Sequence, residues 1–190
     1  MTQTTKIGLI ADTHMPGSIE KLWPQVTEAF DGADAILHAG DLHTLDVVDE
    51  LCRIAPTFVA KGNGDVGIED DRLRDVWSLE FAGVKVGMIH HFPSPERKGI
   101  EVINKKVARH FPEDPEIVVF GHTHFEGVYP LANLLCINPG SPTLPRNQSL
   151  RMGTVGELLI SPDEITVCIH QITEQGLDPH GEIEHLTLRR

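Results

Sequence analysis

The sequence predicts an α/β fold, arranged as one domain over residues 1–172 followed by a polar tail over residues 173–190. Short apolar runs rich in Val and Ile recur without alternating polar residues, and helical patterns lie between them. Near the end of the chain, two further apolar runs flank the turn sequence SPDE. With 190 residues, 40% of them hydrophobic, the chain can bury one sizeable core. We therefore expect a single functional site.

Five apolar runs have the composition of strands buried on both faces, because polar residues do not alternate within them. In chain order they are residues 6–11, 34–39, 57–60, 84–89 and 116–120. The later runs GELLI and ITVCI predict an antiparallel hairpin.

Helices are predicted between these strands. Pro24 suits a first helical turn, so a short helix should begin near Trp23 and end at 31–32, with its inward face formed by Val26, Ala29 and Phe30. Apolar residues repeat at helical spacing in two more segments. One follows a Thr44 cap with Leu45, Val48, Leu51 and Cys52, and the other has Ile100, Ile103 and Val107.

Charge and cysteine content narrow the functional class. A net charge of -12 and a pI near 5.3 argue against an extended nucleic-acid surface or an anionic-membrane surface. Three widely spaced cysteines suggest neither a disulfide framework nor a thiolate zinc site. The apolar stretch IGLIA is too short for a signal-peptide core. We expect a cytoplasmic protein without a membrane segment, and a homo-oligomer stays open.

Metal-capable side chains follow each of the five predicted strands. The candidates are Asp12, His14, Asp41, Asn63, His90, His122 and His124. Taken singly, each fits an ordinary role as a helix cap, a turn residue or a satisfied core histidine. The joint coincidence at five strand ends favours a ligand site instead, since the carboxyl ends of strands in an α/β sheet converge on one edge.

This donor set predicts a centre with two divalent metal ions. Asp, His and Asn without thiolate suit Mn, Fe, Zn, Ni or Co, of which we expect manganese. Seven candidates exceed the needs of one ion, so two ions about 3.5 to 4 Å apart could share Asp41. His122 and His124 lie two apart, roughly 6 to 7 Å in extended chain, and could contact different ions. Two ions with two aspartates leave a charge of about +2, which would attract a phosphate ester.

The ordered pattern D-x-H, G-D, G-N-x-D, H and G-H-x-H, from Asp12 to His124, resembles the calcineurin-like metallophosphoesterase superfamily. INPGSPTLPR at residues 137–146 is similar to the segment that follows in its small single-domain bacterial and archaeal phosphodiesterase branch. The resemblance implies a four-layered αββα sandwich of two mixed sheets flanked by helices. It also implies hydrolysis of small phosphate esters by attack of a metal-bridging hydroxide, without a covalent enzyme intermediate.

Carried over by position, the resemblance assigns two ligand sets. Asp12, His14, Asp41 and His124 fall on the first metal, and Asp41, Asn63, His90 and His122 fall on the second. Asp41, Asn63 and His122 are the candidate catalytic residues. Many members carry His after the Asn of G-N-x-D, where this chain has Gly64, so the usual general acid is missing. His91 competes with His90 for the ligand position.

Four further residues have two interpretations each. His38 and His43 flank Asp41 and fit either a hydrogen bond to a ligand or local packing. Asp65 could orient the metal loop or complete a turn, and Arg146 could reach a substrate phosphate or form a surface ion pair.

Two other functions remain open alongside the phosphodiesterase. The retromer scaffold subunit shares the resemblance yet works by binding protein partners, although here every ligand position has a competent residue. A nuclease would lack an extended nucleic-acid path, but could cut short oligonucleotides.

Overall fold

The computed structural model describes residues 4–150 and 152–190, except for the side chain of residue 148. Three α-helices lie in it: α1 (Pro24–Phe30), α2 (Asp46–Leu51) and α3 (Ile100–His110). The strands are β1 (Thr5–Ile10), β2 (Ala35–His38), β3 (Thr57–Ala60), β4 (Leu73–Arg74), β5 (Val76–Phe81), β6 (Val84–Ile89), β7 (Ile117–Val119), β8 (Gly127–Pro130), β9 (Leu135–Asn138), β10 (Thr154–Ile160), β11 (Glu164–Thr173), β12 (Gly176–Pro179) and β13 (Leu186–Arg189). The predicted order of strands and helices is therefore present.

The strands form two mixed sheets. The first has eight strands in the order β12-β11-β10-β1-β2-β3-β4, with β13 also paired to β11. Its β1, β2 and β3 are parallel, whereas β10 and β11 form the predicted antiparallel hairpin. The second sheet has the order β5-β6-β7-β9-β8, in which β6, β7 and β9 are parallel. The strand before GHTH, β7, is thus central.

Four layers result, because each sheet buries both faces. Alternate residues such as Leu9 and Met88 point into a core between the two sheets. Their neighbours pack outward, as Ile10 does against the face that carries α1 and α2. On the other side, Val118 and Phe120 pack with α3. This arrangement explains the continuous apolar runs and confirms the αββα sandwich.

The helices keep their predicted inward faces with small shifts at the ends. Val26, Ala29 and Phe30 are buried in α1. In α2 the N-cap residue is Leu45, without a side-chain cap bond, so the predicted Thr44 cap is wrong; the Thr44 hydroxyl only accepts a 3.3 Å hydrogen bond from the Asp46 amide. Cys52, predicted on the inward face, lies past the last turn and is exposed. Ile100, the first residue of α3, is also 47% exposed. Both exceptions lie at helix ends, where the extent of an element is hardest to predict from sequence.

The segment after residue 172 pairs with the hairpin. Both β12 and β13 are antiparallel to β11, although this segment showed only a polar pattern in the sequence. One side chain from it, His180, is buried and lies 3.2 Å from the Glu126 carboxylate. Within the part of the chain described here, no helix has the length and apolar character needed to span a membrane.

Candidate metal centre

The seven predicted ligands lie together where strands of both sheets end. Residues after β1, β2 and β3 come from the first sheet, and residues after β6 and β7 come from the second. Hydrogen bonds between a side chain and a backbone group join the two sheets here: the His90 imidazole donates to the Ala39 carbonyl at 2.7 Å, and the His122 amide donates to the Asp12 carboxylate at 3.0 Å. The site is therefore a seam between sheets rather than the edge of one.

The loops that hold the candidate ligands have an unusual backbone. Five of the seven ligands have left-handed φ angles between 47° and 71°: Asp12, His14, Asp41, His122 and His124. Side chains disfavour this region, at roughly 1 kcal/mol or more per residue, and such conformations concentrate at functional sites. Gly121 is required for a different reason, because a Cβ there would lie 2.9 Å from both an Asp12 carboxylate oxygen and the Ala39 carbonyl.

Four donors form the first group. Ligand atoms of Asp12, His14, Asp41 and His124 all lie within 4.8 Å of one another. The Nε2 atoms of His14 and His124 are 3.1 Å apart. His124 donates its Nδ1 hydrogen to the Leu144 carbonyl at 2.7 Å, so its Nε2 presents a lone pair to the group. This is the arrangement of an imidazole oriented to bind a metal.

The second group comprises Asn63, His90 and His122. His122 Nδ1 lies 3.0 Å from the Asn63 side-chain oxygen and 3.3 Å from His90 Nε2. Since His90 donates its Nδ1 hydrogen to the Ala39 carbonyl, its Nε2 also presents a lone pair. Asn63 and His122 are exposed while His90 is buried. The second group therefore forms the open side of the site.

Asp41 lies between the two groups. Its Oδ2 atom is 3.4 Å from His14 Nε2 and 3.5 Å from His90 Nε2. The other oxygen, Oδ1, accepts a hydrogen bond of 2.7 Å from the Gly64 amide. Because that bond fixes the carboxylate plane, Oδ2 points at the space shared by both groups. Asp41 is therefore the residue of the set that faces both groups.

Several features of these side chains fit a bound cation. The Oδ2 atom of Asp12 is buried and has no hydrogen-bond partner among the described residues. Burial raises the pKa of Asp12 well above its usual range, and burial lowers the pKa values of His14 and His90. Neutral imidazoles are the form that binds metal, and a divalent ion would favour the ionised carboxylate. The donor set of carboxylate, imidazole and amide suits the borderline divalent ions named above.

Asp65 holds the loop that carries Asp41. Its buried carboxylate accepts four backbone hydrogen bonds of 2.7 to 3.1 Å, from the amides of Asp41, Leu42, His43 and Gly62. A carboxylate with several backbone donors is strongly held in place. Of its two interpretations from the sequence, the structure supports orientation of the metal loop.

His43 touches both a predicted ligand and the position of the missing histidine. Its Nε2 atom lies 3.0 Å from His14 Nδ1, and its ring also occupies the space into which a side chain at Gly64 would project. For His14 to present Nε2 to the first group, its Nδ1 hydrogen must be donated to His43. His43 therefore contacts a predicted ligand, one of the two interpretations that the sequence allowed.

We expect His43→Ala to weaken metal binding. Without an acceptor for Nδ1, the His14 ring can adopt the wrong tautomer or rotate, which costs about 10- to 100-fold in affinity in comparable sites. Metal titration followed by calorimetry measures the change. His185→Ala, at an exposed position just before β13, is the matched control and should bind metal like the native chain. Equal affinities for native protein and His43→Ala would show that His14 needs no partner.

His38 and His91 lie outside the donor groups. His38 accepts from the Gly40 amide at 3.1 Å and contacts the Thr13 hydroxyl at 3.1 Å, which joins the loops after β1 and β2. Burial lowers its pKa to about 4, so it is neutral at pH 7. His91 is exposed, with its ring 4.6 Å from the His122 ring, whereas His90 points into the site. The geometry thus favours His90 as the ligand.

Ser141 and Thr143 also support the site, although nothing in the sequence singled them out except the INPGSPTLPR motif that contains them. The Ser141 hydroxyl donates to the Asp12 carbonyl at 2.7 Å, and the Thr143 hydroxyl donates to the Thr13 carbonyl at 2.6 Å. The Arg146 amide donates to the His124 carbonyl at 3.0 Å. The INPGSPTLPR segment therefore fixes the loops of both Asp12 and His124.

Known proteins show the same fold and related sequences. A probable metallophosphoesterase of Methanothermobacter thermautotrophicus is 34% identical over 144 residues, which cover 74% of this chain and 78% of that protein. A probable metallophosphoesterase of Methanocaldococcus jannaschii is 30% identical over 147 residues, which cover 75% of this chain and 71% of that protein. The structure of Vacuolar Protein Sorting 29 from Cryptosporidium parvum superimposes with a TM-score of 0.80 at 16% identity, covering 98% of this chain and 99% of that one.

A second solved structure carries a metal. The Vacuolar Protein Sorting 29 protein from Entamoeba histolytica, in complex with Zn²⁺, has a TM-score of 0.72 at 18% identity, covering 97% of this chain and 99% of that one. These structural likenesses bear on the fold. The family model for the calcineurin-like phosphoesterase superfamily domain matches residues 5–158, which include every predicted ligand. From this match and the two archaeal relatives, the chain belongs to the calcineurin-like phosphoesterase superfamily.

Proposed function

We propose that this protein is a phosphodiesterase that hydrolyses small phosphate esters with two divalent metal ions. We expect both ions to be manganese. The position of Asp41 Oδ2, about equally distant from an imidazole of each donor group, is the observation that carries this proposal. A single carboxylate oxygen that faces two sets of ligands is what a shared, dinuclear site requires. Family membership supports the metal-dependent phosphoesterase chemistry.

The two ligand sets follow the two groups of side chains. Asp12, His14, Asp41 and His124 would hold the first ion, and Asp41, Asn63, His90 and His122 would hold the second. Bound ions supply a water with a lowered pKa as the nucleophile and positive charge for the phosphoryl oxygens. Under this assignment His122 and His124, although only two residues apart, serve different ions. Their contacts support it, since His124 lies with His14 and His122 with His90 and Asn63.

The protein's own residues shape access and proton supply. Asn63 and His122 lie on the exposed side, so a phosphate ester would approach from there, and with Asp41 they are the proposed catalytic residues. Gly64 offers no side chain for proton donation to the departing alcohol. Esters whose alcohols leave as stable anions should therefore be cleaved fastest, because such alcohols do not need a general acid.

Metal content and ester preference test the proposal together. The native chain should bind two equivalents of Mn²⁺ and cleave bis(4-nitrophenyl) phosphate faster than 4-nitrophenyl phosphate. Asn63→Ala and His124→Ala each remove a ligand from a different group, so each should weaken one of the two equivalents and lower the rate. Asp114→Asn, an exposed carboxylate away from the site, is the control.

Three outcomes contradict the proposal. One metal equivalent would refute the dinuclear centre, and faster cleavage of the monoester would refute the diester preference. If metal binds but neither ester is cleaved above the rate of the variants, the non-catalytic scaffold gains support instead.

A further inference from the structure

A cavity of about 250 Å³ adjoins the open side of the metal centre. His122 lines it, together with two arginines, Arg97 and Arg146, and the exposed ring of Phe125. No residue of the first donor group lines this cavity, so the cavity lies beside the second group only. A substrate whose phosphorus lies at the metal centre would extend one of its arms into this space.

The side chains of the two arginines are not paired with carboxylates among the described residues. Within residues 4–150 and 152–190, neither Arg97 nor Arg146 forms an ion pair within 4.0 Å. This is notable in a chain with 28 acidic and 16 basic residues, where acidic partners are abundant. Guanidinium groups bind phosphate oxygens through two parallel N–H donors.

One acidic residue, Glu96, also lines the cavity and opposes an anion there. It faces Tyr129, whose pKa is raised to about 12 by burial and, less strongly, by Glu96. The Tyr129 hydroxyl therefore stays protonated at pH 7 and can donate to that carboxylate. Two guanidinium groups against one carboxylate leave a net positive charge, in contrast to the net charge of -12 for the whole chain.

Arg146 is anchored beside a predicted ligand. Its amide donates to the His124 carbonyl at 3.0 Å, and the His124 ring donates to the Leu144 carbonyl at 2.7 Å. The base of the Arg146 side chain is thereby fixed relative to the metal centre. Phe125 follows His124 directly and is 42% exposed, which gives the cavity a flat apolar wall on which a planar ring can stack.

We propose that this cavity binds a second phosphate group, carried by one organic arm of the diester substrate and held by Arg97 and Arg146. The inference rests on the proposed phosphodiesterase function. In the reaction, water adds its oxygen to the phosphorus at the metal centre, the bond from phosphorus to the other arm breaks, and that arm leaves as an alcohol. The second phosphate takes no part in bond making, and its contribution is to place the substrate.

A pair of substrates that differ by one phosphate tests the inference. They are the 4-nitrophenyl ester of thymidine 5′-phosphate and the same ester with an added 3′-phosphate. Both release 4-nitrophenolate from the same diester, so any difference reports the added group. The native, Mn²⁺-loaded protein should cleave the 3′-phosphorylated ester with a kcat/KM about 10- to 100-fold higher. Arg97→Gln and Arg146→Gln should each remove most of this preference.

Controls distinguish a failure of the phosphate-site proposal from a failure of the proposed function. Arg109→Gln, an exposed arginine near the end of α3, should keep both the rate and the preference. Equal kcat/KM for the two esters in the native protein overturns the phosphate site, and so does a preference that survives both arginine changes. If neither ester is cleaved, the phosphodiesterase proposal fails. Calorimetry then tests the phosphate site without catalysis. Thymidine 3′,5′-bisphosphate must bind at least 10-fold more tightly than thymidine 5′-phosphate, or the phosphate site is refuted.

Discussion

Asp41→Asn should lower kcat for diester hydrolysis by roughly 10³-fold and reduce the bound metal from two equivalents towards one. The substitution keeps the shape of the side chain and its Oδ1 acceptor for the Gly64 amide. It replaces the oxygen between His14 and His90 with an amide nitrogen, which cannot serve as a ligand, or else reverses the Gly64 contact. Rates and metal content, measured on the same preparations, check both expectations.

Folding must be shown to be intact for this test to be informative. Asp41→Asn should retain the circular dichroism of the native chain, and Asp114→Asn should match the native protein in rate and metal content. A variant at Asp41 that still binds two equivalents and turns over at more than a tenth of the native rate would eliminate the shared-ligand role.

Asp65→Ala should be the most destabilising single change near the site, at roughly 3 to 5 kcal/mol of unfolding free energy. Four backbone amides lose their acceptor at once, within a loop where Asp41 and His43 already hold left-handed φ angles. Buried donors left without partners cost about 1 to 3 kcal/mol each, less whatever water can recover. Urea unfolding of metal-free protein measures the loss.

Metal-free conditions matter because ligand binding would otherwise add to the measured stability. Asp71→Ala, an exposed aspartate in the following loop, is the matched control and should stay within about 0.5 kcal/mol of the native chain. A loss below 1 kcal/mol for Asp65→Ala would mean that the loop keeps its conformation without the carboxylate.

The central strands were predictable because burial on both faces leaves a clear pattern of residues. β1, β2, β3, β6 and β7 are all largely apolar runs, α1 kept its whole predicted inward face, and α3 kept Ile103 and Val107 but not Ile100. Of the strands that the sequence did not reveal, β9 is fully buried between β7 and β8, whereas the others lie at the edges of the sheets. β5 alternates with polar residues, β8 ends in a proline, and β12 and β13 carry little apolar surface. Such strands are held by backbone pairing, which leaves no residue signature.

That the seven candidate donors lie together could be expected from their order along the chain, whereas the roles of the residues that support them could not. Asp65 and His43 were both named with two interpretations, because the choice depends on contacts across 22 to 29 residues of sequence. The left-handed backbone at five of the predicted ligands is a property of loop geometry, and it cannot be predicted from the presence of an aspartate or a histidine. Arg97 gave no signal, since its cavity is formed by segments far apart in the chain.

The position of the donors at the junction of two sheets has a thermodynamic consequence. The donors between residues 12 and 63 follow strands of one sheet and those between 90 and 124 follow strands of the other, so a cation bound between them would act as a removable cross-link between the two sheets. Its binding free energy is then linked to the cohesion of the two sheets and adds to global stability according to cation concentration and affinity. Occupancy of this site and the integrity of the sandwich would rise and fall together.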